Sequence, residues 1–361
     1  MTGERFMDEA LALAREGRGR VAPNPMVGAV LVKASRIVGR GAHRRFGGPH
    51  AEVEAIANAG RAAKGATLFV TMEPCCHQGK TPACTDALHQ AGVRQVVVAM
   101  LDPNPVVHGK GVKCLRAAGI SVEVGLRREQ ARRLNEAYVA FMEEHRPFVV
   151  LKVAVTLDGM MAAEDGESQW ITGPKAREYV QELRREADAI LVGVNTVLKD
   201  NPRLTCRVAE GKRLLRVVLD SRLRFPQKCR LLEDEGPVLV FTAHASERRM
   251  RELAKTGVEV VRVRMQAEDR INWQDVLSEL YRRQVTSLLI EGGATVVSSA
   301  LEAGVVDKAC FLHAPKVLGP GKSLSHAMTS RRLKAALVLR DVRHQELGED
   351  MLTEGYVYRF G

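Results

Sequence analysis

PHAEVEAIANAGRAAKGATLFVTMEPCCHQGKTPAC, residues 49–84, decides the reading of this chain. HAEVEAIANAG (50–60) has helical spacing and stops at Gly60, and TLFVTM (67–72) is a short apolar strand. TPACTDALHQAG (81–92) begins a second helix that Gly92 ends. His50 thus opens one helix and Cys84 opens the next, with Cys75 between the strand and that second helix. Glu52 follows His50 by two residues.

One imidazole and two thiolates are three metal ligands. A structural zinc site normally closes with four, whereas three leave a position for water. Such an ion lowers the pKa of its water from about 15.7 toward about 7, so deprotonated water exists at working pH. A proton must then be shuttled, and Glu52, beside a ligand but not one itself, suits that work. Zinc deaminases of nucleobases use H-x-E followed by P-C-x-x-C with a non-ligand Glu. Here the second element is P-C-x8-C. Cys84 rather than Cys76 is the expected third ligand. Adjacent cysteines rarely share one ion, and a thiolate at a helix start is favoured by the dipole. A structural zinc closed by His77 is the competing reading.

Outward from this stretch, residues 4–16, 50–60, 81–92 and 109–118 read as helices. VGAVLV (27–32), TLFVTM, VVVAM (96–100) and ISVEVG (120–125) read as strands. Short apolar strands between helices imply a parallel or mixed sheet covered by helices. Residues 127–146 read as one charged helix ending at HRP (145–147), the expected boundary between domains 1–146 and 147–361. Strand patterns resume at 148–157, 189–194, 216–220, 238–242, 258–263 and 287–293, with helices at 174–186, 273–283 and 294–303 and a final strand near YVYRF (356–360).

Composition narrows the classes. The 361 residues suit two or three domains, and 45% hydrophobic with 27% charged residues is a globular balance. No apolar run reaches the roughly 18 residues of a spanning helix. Asp8 and Glu9 stand where a signal peptide would be apolar, so a cytoplasmic protein is expected. The net charge of +11 favours anionic partners, yet the arginines are scattered and only 4% of residues are aromatic. That is poor material for stacking bases. Seven cysteines argue against disulfides. Cys114, Cys206, Cys229 and Cys310 read as plain thiols, and His313, His326 and His344 as structural histidines.

The second half lacks a G-x-G-x-x-G after a strand. EGG (291–293) lies between an apolar strand and a helix, where backbone N–H groups can approach a pyrophosphate. LDSRLR (219–224) places Ser221, Arg222 and Arg224 after another strand, as a 2′-phosphate would require. Each signal alone is weak.

APNPMVGAVLV (22–32), GAHRRFGGPHAEVEA (41–55), TMEPCCHQGKTPACTDAL (71–88) and DPNPVVHGKGVKCLRAAGI (102–120) resemble the deaminase half of the bifunctional riboflavin-biosynthesis deaminase/reductases. KVAVTLDG (152–159), SQWITG (168–173), LVGVNTVLKDNPRLTCR (191–207), LLIEGGATVVSSAL (288–301) and APKVLG (314–319) resemble the reductase half. The resemblance covers nearly the whole chain. It implies an α/β architecture, a cytidine-deaminase-like three-layer α/β/α domain followed by a dihydrofolate-reductase-like domain. It implies zinc ligands His50, Cys75 and Cys84, with Glu52 as proton donor. It places Asn24 by the pyrimidine, and His77, Lys80 and Thr81 by the base or ribose phosphate. It further implies NADPH held by Ala154, Trp170, Thr196, Asp200, Ser221 and the turn Gly292, Gly293, Ala294, Thr295, Val296, Val297 and Ser298. Arg222 joins these as a candidate for the 2′-phosphate. Ser168, Arg184, Leu204, Arg207 and Glu291 would face the substrate, while Lys152 and Asp200 are candidates to protonate or polarise the reacting sugar carbon. Asp158 reads as a cap for backbone N–H groups. Three positions depart from the family pattern: Lys80 replaces Arg, Ala83 replaces Pro and Thr156 replaces Ser.

The expected chemistry is therefore deamination of a phosphorylated diaminopyrimidine, then NADPH reduction of its ribosyl group. The expected partners are that small molecule and further copies of the chain in a homo-oligomer, with neither nucleic acid nor membrane. The alternative is a tRNA base deaminase with an RNA-binding C-terminal domain. It shares the zinc site and the charge but leaves SQWITG, DNPRLTCR and EGG unexplained. A zinc-stabilised scaffold without chemistry is the third reading.

Overall fold

A computed structural model describes residues 3–76, 83–209, 211–234, 236–267, 270–325, 328 and 332–358. The chain divides into two units, Met1–His145 and Arg146–Gly361.

The first unit runs α1 (Gly3–Ala14), β1 (Gly28–Lys33), β2 (Arg36–Ala42), α2 (Ala51–Ala59), β3 (Thr67–Val70), α3 (Cys84–Gln90), β4 (Gln95–Val98), α4 (Lys110–Ala117), β5 (Ser121–Val124), α5 (Arg128–Leu134) and α6 (Glu136–Glu144). The sheet order is β2-β1-β3-β4-β5. β1 is antiparallel to β2 and β3, and β3, β4 and β5 run parallel. Alternate residues serve opposite faces. Leu31, Leu68, Val70, Val96 and Val98 pack with Ala51 and Ala55 of α2, Leu88 of α3 and Leu115 of α4. Val30, Val32, Phe69 and Val97 pack with Phe6, Met7 and Leu11 of α1 and with Tyr138 and Val139 of α6. The result is three layers, helix, sheet and helix.

β2 has no strand signal in the sequence, because RIVGRGA lacks alternation. Its glycines have a packing reason instead. A Cβ on Gly41 would fall 2.1 Å from the Ala51 carbonyl oxygen and 2.5 Å from Ala55 N. α2 thus rests on bare β2 backbone, and that contact seats the helix bearing Glu52. Residues 127–146, expected as one helix, form two. The break is Asn135, whose side chain accepts from Met26 N (2.8 Å) and donates to the Met26 carbonyl (3.0 Å).

The second unit runs β6 (Phe148–Thr156), β7 (Met160–Ala163), α7 (Pro174–Glu186), β8 (Ala189–Gly193), α8 (Val194–Asp200), β9 (Leu215–Leu219), β10 (Val238–Thr242), α9 (Glu247–Ala254), β11 (Val258–Arg262), β12 (Met265–Ala267), β13 (Arg270–Ile271), α10 (Trp273–Arg282), β14 (Ser287–Gly292), α11 (Ala294–Glu302), β15 (Lys308–Ala314), β16 (Gly321–Ser323), β17 (Val338–Leu347) and β18 (Asp350–Tyr358). Nine strands form one sheet, β11-β10-β9-β8-β14-β6-β15-β18-β17, parallel as far as β15 and antiparallel beyond. β8 and β10 are buried throughout, as strands covered on both faces must be. Leu191, Val217, Leu239 and Ile290 face Val276, Leu280 and Val297 on one side. Ile190, Val218, Val240 and Leu289 face Val194, Val197 and Leu253 on the other. β7 pairs with β16 as a separate two-stranded ribbon. The last described strand begins well before the expected 356, since Gly348 (φ +76) turns β17 back into β18.

Candidate active sites

In the first unit His50 is the extended residue preceding α2, Glu52 lies in the first turn of that helix, and Cys84 is the first residue of α3. His50 Nδ1 lies 3.1 Å from Cys84 Sγ and 3.6 Å from Cys75 Sγ. The three donor atoms all fall within 4.8 Å of one another, and they are the one such group among the described residues. An imidazole and two sulfurs converging this closely suit zinc. The hydrogen bond from Cys84 draws the Cys75 thiol down to about 4. The same contact pushes Cys84 up, because the pair releases one proton before the other. Glu52 is 3% exposed, and burial lifts its carboxyl above the ordinary range.

His50, Glu52 and Cys75 line a cavity of about 310 Å³ together with Asn24, His43, Phe46, Glu73, Asp102, Asn104 and Tyr138, with Cys84 buried behind them. Asn24 Nδ2 is 3.2 Å from His43 Nε2, and His43 Nδ1 is 2.9 Å from the Pro49 carbonyl. Burial lowers the His43 pKa, which fits a neutral ring donating to Pro49 and accepting from Asn24. Tyr138 donates to Asp102 Oδ1 at 2.9 Å. Glu73 accepts from Asp102 N, Gly109 N and Val112 N at 2.9–3.2 Å, pinning the 102–112 loop and the start of α4. His43, Asp102 and Tyr138 had no assigned role in the sequence. GAHRRFGG and DPNP carry the first two, and nothing local marks Tyr138. His77, Lys80 and Thr81 lie outside the described residues. Ala83, buried at φ −59, holds the backbone angle a proline would impose.

In the second unit Ser168, Thr196, Asp200, Ser221, Gly293, Ala294, Thr295 and Val296 line one cavity of about 420 Å³. Arg224, read with Ser221 and Arg222 as suited to a 2′-phosphate, lines it too, as do Asn195, Lys199, Arg270 and Lys322, which had no assigned contact. Gly292 takes φ +136, a conformation that side chains rarely adopt, and α11 begins just after Gly293. Val297 is fully buried in the core. Ser298 donates to the Leu324 carbonyl at 2.9 Å, so neither side chain faces the cavity. Arg222 is exposed and outside the lining, whereas Arg224 lines it and donates to Asn195 Oδ1 at 2.9 Å. Leu223 between them takes φ +51.

Lys152, Arg184 and Glu291 form a separate cluster. Arg184 reaches both Glu291 oxygens and also donates to the Thr205 carbonyl at 2.9 Å. Leu204 is buried at φ +52, and the Arg207 N–H is held by Gln181 Oε1 at 2.8 Å. Ala154 is half-buried against the Ala176 and Cys310 cluster. Trp170 is exposed, with the Arg177 guanidinium 4.7 Å over its ring. Asp158 accepts from Gly319 N at 2.8 Å and from the Thr156 hydroxyl at 2.5 Å, so threonine supplies here what serine would. His313 stacks on Phe311 and His344 lies 3.1 Å from the Thr353 hydroxyl, and His326 is not described. All seven cysteines are free.

Residues 1–100 match the cytidine and deoxycytidylate deaminase zinc-binding region, and residues 147–353 match the RibD C-terminal domain. The class is therefore a deaminase joined to a reductase, with a cytidine-deaminase-like unit followed by a dihydrofolate-reductase-like one. The riboflavin biosynthesis protein RibD of Aquifex aeolicus is 43% identical, with 97% of each chain covered. Among solved structures, Acinetobacter baumannii RibD superposes with a TM-score of 0.90 at 36% identity, covering 99% of each chain. A Thermotoga maritima diaminohydroxyphosphoribosylaminopyrimidine deaminase/5-amino-6-(5-phosphoribosylamino)uracil reductase gives 0.85 at 39% identity, covering 98% of each. The chain belongs to the RibD family, the bifunctional deaminase/reductases of riboflavin biosynthesis. The tRNA deaminase reading finds no support in these likenesses.

Proposed function

We propose that the first unit removes the 2-amino group of 2,5-diamino-6-(5-phosphoribosylamino)pyrimidin-4-one. The second unit then reduces the ribosyl group with NADPH to give 5-amino-6-(5-phosphoribitylamino)uracil. The observation that carries this is the convergence of the His50, Cys75 and Cys84 donor atoms at the wall of a cavity that Glu52 also lines.

His50, Cys75 and Cys84 hold the zinc, which supplies an acidified water and an electrophilic centre. Glu52, shut off from bulk water, takes a proton from the attacking water and passes it to the departing nitrogen. Asn24, oriented by His43, sits where a pyrimidine edge would lie. In the second unit Thr196, Ser221, Arg224 and the turn from Gly293 to Val296 hold the dinucleotide, whose chemistry is hydride donation to the opened sugar carbon. Asp200 lines the same cavity and is placed to handle a proton at that carbon. Lys152, Arg184 and Glu291 orient the ribose phosphate side. The reading includes a homo-oligomer in the cytoplasm that engages neither nucleic acid nor membrane. No helix among the described residues is long and apolar enough to cross a membrane.

A coupled assay on the diaminopyrimidine, following ammonia release and NADPH oxidation in one cuvette, tests this. Both signals should appear in that order. Ammonia without NADPH oxidation would remove the second half of the reading.

A further inference from the structure

One wall of the reductase cavity carries two lysines from different elements. Lys322 comes from β16, in the ribbon with β7, and Lys199 from the last turn of α8. They meet beside Gly166, in the loop after β7. A Cβ built on Gly166 would stand 2.4 Å from Lys199 Nζ and 3.2 Å from Lys322 Nζ. The two ammonium groups therefore lie within about 5.6 Å of each other. Neither has an ion-pair partner among the described residues. Asp165 and Glu167, flanking Gly166, are exposed, and Asp165 accepts from Glu167 N at 2.9 Å. Asp200 lines the same cavity and feels the Lys199 charge, but no close ion pair joins the two.

Two like charges brought together on converging elements repel. A multivalent anion with two free oxygens removes that repulsion. The same cavity is lined by Gly293, Ala294 and Thr295 at the N-terminal turn of α11, where backbone N–H groups favour negative charge. Gly193, Gly293 and Ala294 leave its walls nearly bare.

We propose that Lys199 and Lys322 form a two-lysine clamp for phosphate oxygens in the reductase cavity. The inference rests on the nucleotide-dependent reading above. Phosphate reaches this cavity from two sources, the dinucleotide's pyrophosphate and the 5-phosphate of the ribosyl substrate.

The test is binding rather than turnover. Calorimetry on the zinc-loaded full chain would compare wild type with Lys199→Ala, Lys322→Ala, the double alanine variant and the double arginine variant. Each would be titrated with NADPH and, separately, with the deaminated phosphoribosyl compound. Both side chains sit at the cavity surface, so melting temperatures should stay at the wild-type value. The expected result is a rise in Kd of about tenfold per lysine removed, with a shallower dependence on salt and recovery in the arginine variant. A rise for NADPH assigns the clamp to the pyrophosphate, and a rise for the phosphoribosyl compound assigns it to the substrate. If wild type binds both and the double alanine variant binds both equally well, the clamp is wrong. If wild type binds no NADPH, the dinucleotide reading itself fails and the clamp falls with it.

Discussion

Arg184 closes two guanidinium nitrogens on Glu291, Nε to Oε1 at 2.6 Å and Nη2 to Oε2 at 2.9 Å, and Lys152 Nζ stands 3.6 Å from Oε2. The Glu291 side chain is 8% exposed. Burial alone would raise its carboxyl, but the two cations overcome that and hold it at about 2, against an ordinary 4.5.

A group depressed on folding protonates first in the unfolded chain as pH falls. Its contribution is therefore complete above pH 4.5 and is lost as pH falls toward 2. A shift of this size is worth about 3 kcal/mol. Glu291→Gln should cost the reductase unit about that much at pH 7, since it leaves two cations without their counter-charge. Its urea midpoint should then vary less than wild type between pH 4.5 and 2. Parallel pH profiles for the two proteins would show that Glu291 is not held ionised by Arg184 and Lys152.

Glu52→Gln keeps the size of the side chain and removes its basicity, while His50, Cys75 and Cys84 are untouched. Zinc content should remain at one per chain, and ammonia release should fall by about 10²–10⁴-fold. NADPH oxidation on pre-deaminated substrate should be unchanged. A metal-replete variant that still deaminates at the wild-type rate would assign the proton transfer elsewhere.

The His50, Cys75 and Cys84 cluster was legible because two short segments carry it, and spacing put His50 and Cys84 at helix starts with Cys75 in the loop before the second helix. The rest of that cavity was not. Asp102 and Tyr138 belong to a loop and a helix far along the chain, and only the fold closes them onto a common hydrogen bond. In the reductase unit the apolar strands β8, β10 and β14 announced themselves, whereas the seven residues of α8 and the glycine-rich β2 of the first unit carry too little periodicity to be seen. Arg222 and Arg224 show the same limit at a single turn. They are equal in sequence, but Leu223 between them takes φ +51 and is buried, and only Arg224 lines the cavity.

That turn makes a prediction of its own. Arg224→Ala should weaken NADPH more than NADH, raising the ratio of their Kd values by about tenfold, because the 2′-phosphate loses a charged hydrogen bond. Arg222→Ala should leave that ratio near its wild-type value. The reverse pattern in equilibrium titrations would return the 2′-phosphate to Arg222.

Metal removal separates the two halves of the chemistry. The three donors of the first site come from the residue before α2, the loop after β3 and the start of α3, so an ion held there would tie together segments that already touch, Thr85 N donating to the Cys75 carbonyl at 3.2 Å. A Cβ on Gly111 would lie 2.0 Å from the Pro74 carbonyl oxygen, so α4 already presses on the Cys75 segment. The scaffold should therefore survive chelation. Treatment with a strong chelator should abolish ammonia release, lower the melting temperature of the first unit by a few degrees, and leave NADPH oxidation on pre-deaminated substrate intact. Added zinc should restore deamination. Cys84→Ser should behave like the chelated protein and resist rescue at stoichiometric zinc, since it removes one of the three donors that converge among the described residues. Deamination that persists after the metal content has been measured at zero would overturn the assignment of His50, Cys75 and Cys84 as ligands of a catalytic ion.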